Sequence, residues 1–168
     1  MYWFSLTPTK EGVQAIQNLR DTVHSRVDGT TYEIEDDPHF TIVPGFTSEQ
    51  TPTVDAFPTK TPITVRFDSY YVWPNTDTPM VVALRPSDTS ELESLRITAA
   101  GYVSTVGKLE YGPTPFHLTL FKGGDSGDEK TFTASPVDKS SIASLVKEKP
   151  GLPLSVTFDT LSVSTWDA

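Results

Sequence analysis

Two short segments of the chain carry a histidine and a threonine at the same spacing. His39 is followed two positions later by Thr41, and His117 is followed in the same way by Thr119, with apolar residues between and after them. A single His-x-Thr says little, since histidine in a strand is more often a surface or core residue. Two of the three histidines in this context is a roughly one-in-a-thousand coincidence. The pair is therefore the strongest indication of chemistry in the sequence.

The spacing places each histidine and its threonine on one side of a strand, because side chains two positions apart share a face. Imidazole ionises near neutral pH and can act as a general acid or a general base. A threonine hydroxyl can donate a hydrogen bond to an oxygen on which charge gathers. Two such pairs on opposite sides of one phosphorus atom would suit an in-line displacement without a metal. The alternative for each threonine is ordinary β-propensity in a threonine-rich chain.

The elements around the motifs predict an α+β fold. Apolar residues at spacings of three and four predict a first helix through Val13, Ile16, Leu19 and Val23, with Thr9 as its N-cap. A second helix through Leu92, Leu95 and Ala99 is capped by Ser87 or Asp88 and closes near Gly101, and a third opens at Ser135-Pro136. Apolar and alternating runs predict strands over residues 2–6, 39–43, 63–73, 80–84, 115–121 and 152–166.

A shift of 78 positions superposes the two halves of the chain. It takes His39 to His117, and five further landmarks also match: Leu6 with Leu84, Pro8 with Pro86, Gly29 with Gly107, Thr41 with Thr119 and Gly45 with Gly123. Chance would give this shared register about one time in ten. The sequence therefore predicts one domain over residues 1–168, with two pseudo-symmetric lobes over about 1–75 and 76–168. Each lobe has a mainly antiparallel sheet backed by helices, and the lobes face each other across a central cleft.

Weaker candidates for binding a substrate lie near the second motif and on the middle strand. Tyr111 and Phe121 flank the second motif and are candidates for a cleft wall, and Arg85 either reaches the cleft or lies on the surface. Aromatic residues of the middle strand could stack on a base, although strand aromatics more often pack in a core; they are Tyr70, Tyr71 and Trp73. His24, within the first helix, lacks the motif context and is predicted to be solvated.

The paired motifs resemble those of the two-histidine (2H) phosphoesterase superfamily, which includes 2′,3′-cyclic nucleotide phosphodiesterases and 2′-5′ RNA ligase-like proteins. Its hallmark is two His-x-Thr/Ser motifs near the centres of two duplicated lobes, and here the resemblance runs from Tyr2 to Trp166. Some plant-type cyclic phosphodiesterases carry an aromatic residue five positions after the second histidine, where this chain has Lys122. The departure disfavours base stacking at that position and allows a lysine–phosphate contact.

The resemblance implies a metal-independent phosphoesterase that opens 2′,3′-cyclic phosphates of nucleotides or short RNA ends without a cofactor. It assigns catalysis to His39, His117, Thr41 and Thr119, with His117 as base and His39 as acid in hydrolysis. Two alternatives stay open. One is the hydrolysis or ligation of 2′-5′ linkages or of cyclic oligonucleotide signals, and the other is a module that binds nucleotides or RNA ends without turnover.

Composition limits the partners. The net charge is −9, from 13 Lys and Arg against 22 Asp and Glu, which disfavours long nucleic acids because their binding rests on neutralising phosphates. The absence of cysteine excludes thiolate catalysis and cysteine-ligated metals, and apolar stretches are too short for a membrane span. We expect a cytoplasmic monomer that binds a nucleotide or short RNA and no membrane; the acidity could also serve solubility alone.

Overall fold

The computed structural model describes residues 1–27, 32–58, 61–76, 79, 81–123 and 139–165. Within these ranges the helices are α1 (Lys10–Arg26), α2 (Ser90–Val106) and α3 (Lys139–Glu148), and a 3₁₀ turn lies at Val54–Ala56. Its strands are β1 (Tyr2–Pro8), β2 (Tyr32–Ile34), β3 (Phe40–Ser48), β4 (Ile63–Trp73), β5 (Val81–Pro86), β6 (Gly107–Leu109), β7 (Leu118–Gly123) and β8 (Leu154–Thr165).

The eight strands form one sheet in the order β2-β7-β5-β4-β8-β1-β3-β6, and every pair is antiparallel. This confirms the α+β class and the antiparallel pairing. One continuous sheet contains strands of both halves, where a sheet in each lobe was expected. If β1 is exchanged with β5, β2 with β6, β3 with β7 and β4 with β8, the same order results, read backwards. β2 and β6, three residues each, were not predicted, because such short edge strands leave too little periodicity in the sequence.

Local sequence explains the start of α1. The Thr9 hydroxyl accepts a hydrogen bond from the Gly12 N–H at 3.1 Å, as the predicted N-cap requires. The buried residues are Gly12, Ile16, Leu19 and Val23. Gly12 is buried against the sheet, whereas Val13, which was expected there, is only partly buried. A Cβ on Gly12 would lie 2.8 Å from Val156. The helix therefore approaches the sheet closely at its first turn.

The bounds of α2 differ from the prediction at both ends. Thr89 is the N-cap. Asp88 accepts hydrogen bonds from the Ser90 hydroxyl and, at 2.9 Å, from the Ser90 N–H, and these bonds hold the pKa of Asp88 below its usual value. The helix continues past Gly101 because Val103 is buried and extends the apolar face. The predicted start of the third helix, at Ser135-Pro136, lies outside the described residues. None of the helices in the described ranges is long and apolar enough to cross a membrane.

A cluster of aromatic rings joins the two halves of the chain in the core. The Phe40 ring lies 4.8 Å from Phe158, 5.8 Å from Phe67 and 6.2 Å from Phe116, measured between ring centroids. These four residues come from β3, β4, β8 and the segment before β7. Such pairs each contribute about 0.5–1.5 kcal/mol beyond the area they bury. Since Phe40 follows His39 and Phe116 precedes His117, the cluster brings the two motif segments together.

The two helical glycines give a matched test of how closely α1 packs. At Gly12, an alanine Cβ would also lie 2.9 Å from Pro8, whereas nothing lies within 4 Å at Gly101 of α2. We expect Gly12→Ala to lower the free energy of unfolding by about 1–3 kcal/mol. Gly101→Ala should raise it by about 0.5–1 kcal/mol, because alanine favours the helix. Urea unfolding measures both, and a stabilising Gly12→Ala would contradict the packing described.

Candidate functional site

The two motifs have the same burial pattern. His39 and His117 lie directly before β3 and β7 and are half-buried, as are Thr41 and Thr119. The apolar neighbours of the threonines are fully buried: Phe40, Ile42, Leu118 and Leu120. The alternation expected from the spacing is therefore present in both segments.

Each histidine ring makes the same contact with the backbone two residues before it. Nδ1 of His39 lies 2.7 Å from the carbonyl oxygen of Asp37, and Nδ1 of His117 lies 2.9 Å from the carbonyl oxygen of Pro115. A carbonyl oxygen only accepts, so Nδ1 must carry the proton and donate it. In the neutral ring the lone pair then stands on Nε2, which is left for contacts outside the segment.

Each threonine begins a row of three residues across neighbouring strands. Thr41 lies opposite Ser5 of β1, which lies opposite Ser162 of β8, and the two serine hydroxyl oxygens are 3.3 Å apart. In the other half, Thr119 lies opposite Ala83 of β5, which lies opposite Tyr71 of β4. The same sequence offset that relates the threonines also relates Ser5 to Ala83. The first two residues of one row therefore correspond, by the sequence offset, to the first two residues of the other.

Both rows lie on the same face of the sheet. Partners directly opposite each other in a ladder share a face. Between each two neighbouring strands from β3 to β7, an apolar residue of the core or packed against it lies opposite another: Phe40 with Leu6, Leu6 with Leu161, Phe158 with Ile63, Tyr70 with Leu84, and Leu84 with Leu118. The motif histidines and threonines alternate with members of this apolar series. They therefore occupy the face opposite the core.

Arg96 of α2 joins the two motif segments. Its guanidinium donates to the carbonyl oxygens of Thr41 (3.0 Å), Ile42 (2.7 Å) and Thr114 (2.8 Å), and its Cζ lies 3.7 Å from the centre of the Phe116 ring. Burial lowers the pKa of Arg96, and nearby Glu93 opposes that shift. One cation thus holds the strand that carries Thr41 beside the segment that leads to His117.

The segment before His39 is tied to the strand of the second motif. The Lys122 ammonium is 3.2 Å from a carboxylate oxygen of Glu35, and the Glu35 N–H donates to the carbonyl oxygen of Leu120 at 3.0 Å. The other Glu35 carboxylate oxygen accepts from the Asp37 N–H at 3.3 Å. Lys122 is therefore an ion-pair partner within the protein. The lysine–phosphate contact allowed by the sequence stays a prediction.

A depression of about 300 Å³ opens beside the first motif. Its lining residues are Trp3, His39, Thr41, Pro44, Gly45 and Tyr111. The Tyr111 ring covers Gly45 so closely that a Cβ there would lie 2.7 Å from it. Tyr111 was expected beside the second motif and lies instead beside the first, because its segment follows β6, which pairs with β3.

The second motif has a different neighbourhood. The Tyr71 ring is 5.8 Å from the His117 ring and tilted by 40°. Arg85, the next residue but one after Ala83 on β5, places its Cζ 4.9 Å from the centre of the Tyr71 ring. Tyr71 therefore contacts both His117 and Arg85, beside the second motif.

Two of the predicted binding residues belong to the core. Phe121 is fully buried and its ring lies 5.9 Å from that of His24, so it cannot form a cleft wall. Tyr70 is buried, its hydroxyl donates to the carbonyl oxygen of Pro150, and burial raises its pKa to about 12. Trp73 is exposed, as is His24, which confirms the solvated position expected for that histidine.

Sequence reasoning missed Arg96, Ser5 and Trp3. The offset of 78 positions relates Ser5 to Ala83 and could have identified Ser5. Arg96 could not be identified from the sequence, because a lone arginine on a helix carries no local signal. The described ranges contain no group of three or more His, Asp or Glu side chains placed to hold a metal ion.

Comparison with protein-family models gives no match, and comparison with curated proteins gives none either. Among solved structures, the chain is similar to the protein TT0787 of Thermus thermophilus, with a TM-score of 0.56 and 12% identity. The match covers 96% of this chain and 86% of that one. At this identity the similarity shows a shared fold alone, over nearly the whole chain.

We expect Arg96→Ala to lower the free energy of unfolding by about 2–4 kcal/mol, because partly buried carbonyl oxygens lose their donors. Arg96→Lys should recover less than half of this loss, since one ammonium cannot reach three carbonyl oxygens. Arg66→Ala, at an exposed arginine of β4, is the control and should stay within about 0.5 kcal/mol of the wild type. Equal stability of the Arg96→Ala and Arg66→Ala proteins in urea would contradict the bridging role.

Proposed function

We propose that the protein is a metal-independent phosphoesterase of the 2H type, which opens 2′,3′-cyclic phosphates on nucleotides or short RNA ends. In this proposal the substrate phosphate lies between His39 and His117, in a cleft between two pseudo-symmetric lobes. The strand order that reads the same after exchange of the halves supports that symmetry. The acidic net charge favours a short substrate.

The observation that carries the proposal is the identical bonding of the two rings. Both histidines donate Nδ1–H to the carbonyl oxygen two residues earlier. A neutral ring held in this way offers a lone pair at Nε2 and can accept a proton, whereas a charged ring offers Nε2–H and can donate one. Two rings that both use Nδ1 for the backbone and keep Nε2 for a substrate suit an acid–base pair.

In hydrolysis, Nε2 of His117 removes a proton from water while the water oxygen bonds to phosphorus. The bond from phosphorus to one ribose oxygen breaks, and Nε2–H of His39 protonates that leaving oxygen. The products are a ribose phosphomonoester and a free ribose hydroxyl; the water proton is now on His117, and the former Nε2 proton of His39 is on that hydroxyl. The hydroxyls of Thr41 and Thr119 donate to the non-bridging oxygens, where charge gathers in the transition state.

Contacts between the two halves of the chain favour a fixed distance between the His39 and His117 rings. Arg96 binds both motif segments, and the Lys122–Glu35 ion pair joins the segment before His39 to the strand after His117. Positioned reacting groups contribute strongly to rate, since their placement is settled before the substrate binds. The cytoplasmic location and the monomeric state expected from the sequence stay predictions.

The direct test incubates the purified protein with 2′,3′-cyclic nucleotides in EDTA and measures phosphomonoester formation against pH. We expect a bell-shaped rate profile, whose limbs belong to the histidine pair. His39→Ala and His117→Ala should each lower kcat by about 100- to 10,000-fold. The double variant should lose less than the product of the two losses, because either change already blocks the displacement.

The matched control is His24→Ala, which removes an exposed histidine outside the motifs and should keep the wild-type rate. Tight binding of the nucleotide without turnover would favour the module that only binds. Turnover of 2′-5′ linkages or cyclic oligonucleotides in place of the cyclic phosphate would move the proposal to those substrates. A near-wild-type rate in either motif variant would overturn the acid–base assignment.

A further inference from the structure

Arg85 is an exposed cation that the described part of the protein leaves without a carboxylate partner. The ion pairs found in that part join Arg26 to Glu148 and Lys122 to Glu35. The contact recorded for the Arg85 guanidinium is with the face of the Tyr71 ring, at 4.9 Å. Arg85 thus lies on the motif face as a cation without a carboxylate partner among the described residues, in a chain with a net charge of −9.

Tyr71 connects this cation to the second motif. Its ring centre lies 4.9 Å from the Arg85 Cζ and 5.8 Å from the centre of the His117 ring. In the ladder, Tyr71 and Thr119 both lie opposite Ala83, and Arg85 follows Ala83 by two positions on the same face. The ladder therefore places Arg85 next to the second motif, in contact with the ring that also contacts His117.

The chemistry of this pair suits a phosphate group. A guanidinium offers a planar fork of donors that matches phosphate oxygens, and it can stack on an aromatic ring while its N–H groups stay available. Stacking on Tyr71 restricts the long side chain before a ligand arrives, so less entropy is lost on binding. In the proposed function the two histidines and two threonines already hold the cleaved phosphate, so the donors of Arg85 are available to a further phosphate.

We propose that Arg85 and Tyr71 form a subsite for a second phosphate of the substrate, next to the phosphate that is cleaved. The inference rests on the proposed function and narrows its substrate class. The preferred substrate carries a further phosphate beyond the cyclic one. That phosphate is either the 5′-phosphate of the same nucleoside or the phosphodiester that joins it to a preceding nucleotide.

The kinetic test compares three substrates: a nucleoside 2′,3′-cyclic phosphate, the same compound with a 5′-phosphate, and a dinucleotide that ends in the cyclic phosphate. We expect kcat/KM of the wild type to be about 10- to 100-fold higher for at least one of the two larger substrates. The substrate that gains identifies the source of the second phosphate. In Arg85→Gln this preference should fall to about twofold or less, and in Arg66→Gln, an equal loss of charge at an exposed site of β4, it should persist.

A binding measurement keeps the inference testable apart from turnover. We expect nucleoside 2′,5′-bisphosphate to bind about 10- to 100-fold more tightly than nucleoside 2′-monophosphate, with the difference lost in Arg85→Gln and kept in Arg66→Gln. Turnover of the simple cyclic phosphate with no preference for any second phosphate would overturn the subsite and leave the proposed function standing. Bisphosphate preference without turnover would support the subsite and overturn the proposed function. An equal loss on all three substrates in Arg85→Gln would place the cation at the cleaved phosphate and overturn the subsite.

Discussion

The guanidinium of Arg96 bonds to three carbonyl oxygens in two segments that lie far apart in the sequence, and the position of both motifs depends on this contact. Burial of the cation disfavours its charge, as its lowered pKa indicates, and the three carbonyl oxygens with the Phe116 ring compensate for the lost water. Because a rigid, planar donor satisfies all three oxygens at once, the two segments have little freedom to move apart. The Phe40 cluster beneath them acts in the same direction.

A related arrangement serves the other motif with different residues. The segment before His39 is held on β7 by the Glu35 backbone and by the Lys122–Glu35 ion pair, while the segment before His117 is held on β3 by Arg96. Each half of the chain thus supports the histidine of the other half. The two rings then differ in their surroundings, since Tyr111 and Trp3 lie by the first and Tyr71 and Arg85 by the second. Such a difference is expected where two equivalent groups take different roles.

The sequence predicted the class of the fold, the cap of α1, three of the four buried residues of α1 and the alternation of both motifs, because each depends on residues close together in the chain. Strict alternation would place Phe121 on the face of His117 and Thr119, but a register shift between Val82 and Ala83 turns it into the core. A similar shift after Phe67 places Tyr70, and not Tyr71, in the core. Arg96 could not be predicted, since its three acceptors come together only after the sheet has formed.

We propose that His39 and His117 belong to one phosphate site, with Nδ1 protonated and Nε2 available in both rings. Nitrogen-15 NMR of the histidine rings, recorded during titration with a nucleoside 2′-monophosphate, measures the response of each ring separately. The Nε2 signals of both motif rings should shift with one dissociation constant, both Nδ1 atoms should keep their protons, and the exposed His24 should be unaffected. A ligand that shifts only one motif ring, or neither, would show that the two histidines do not share a phosphate site.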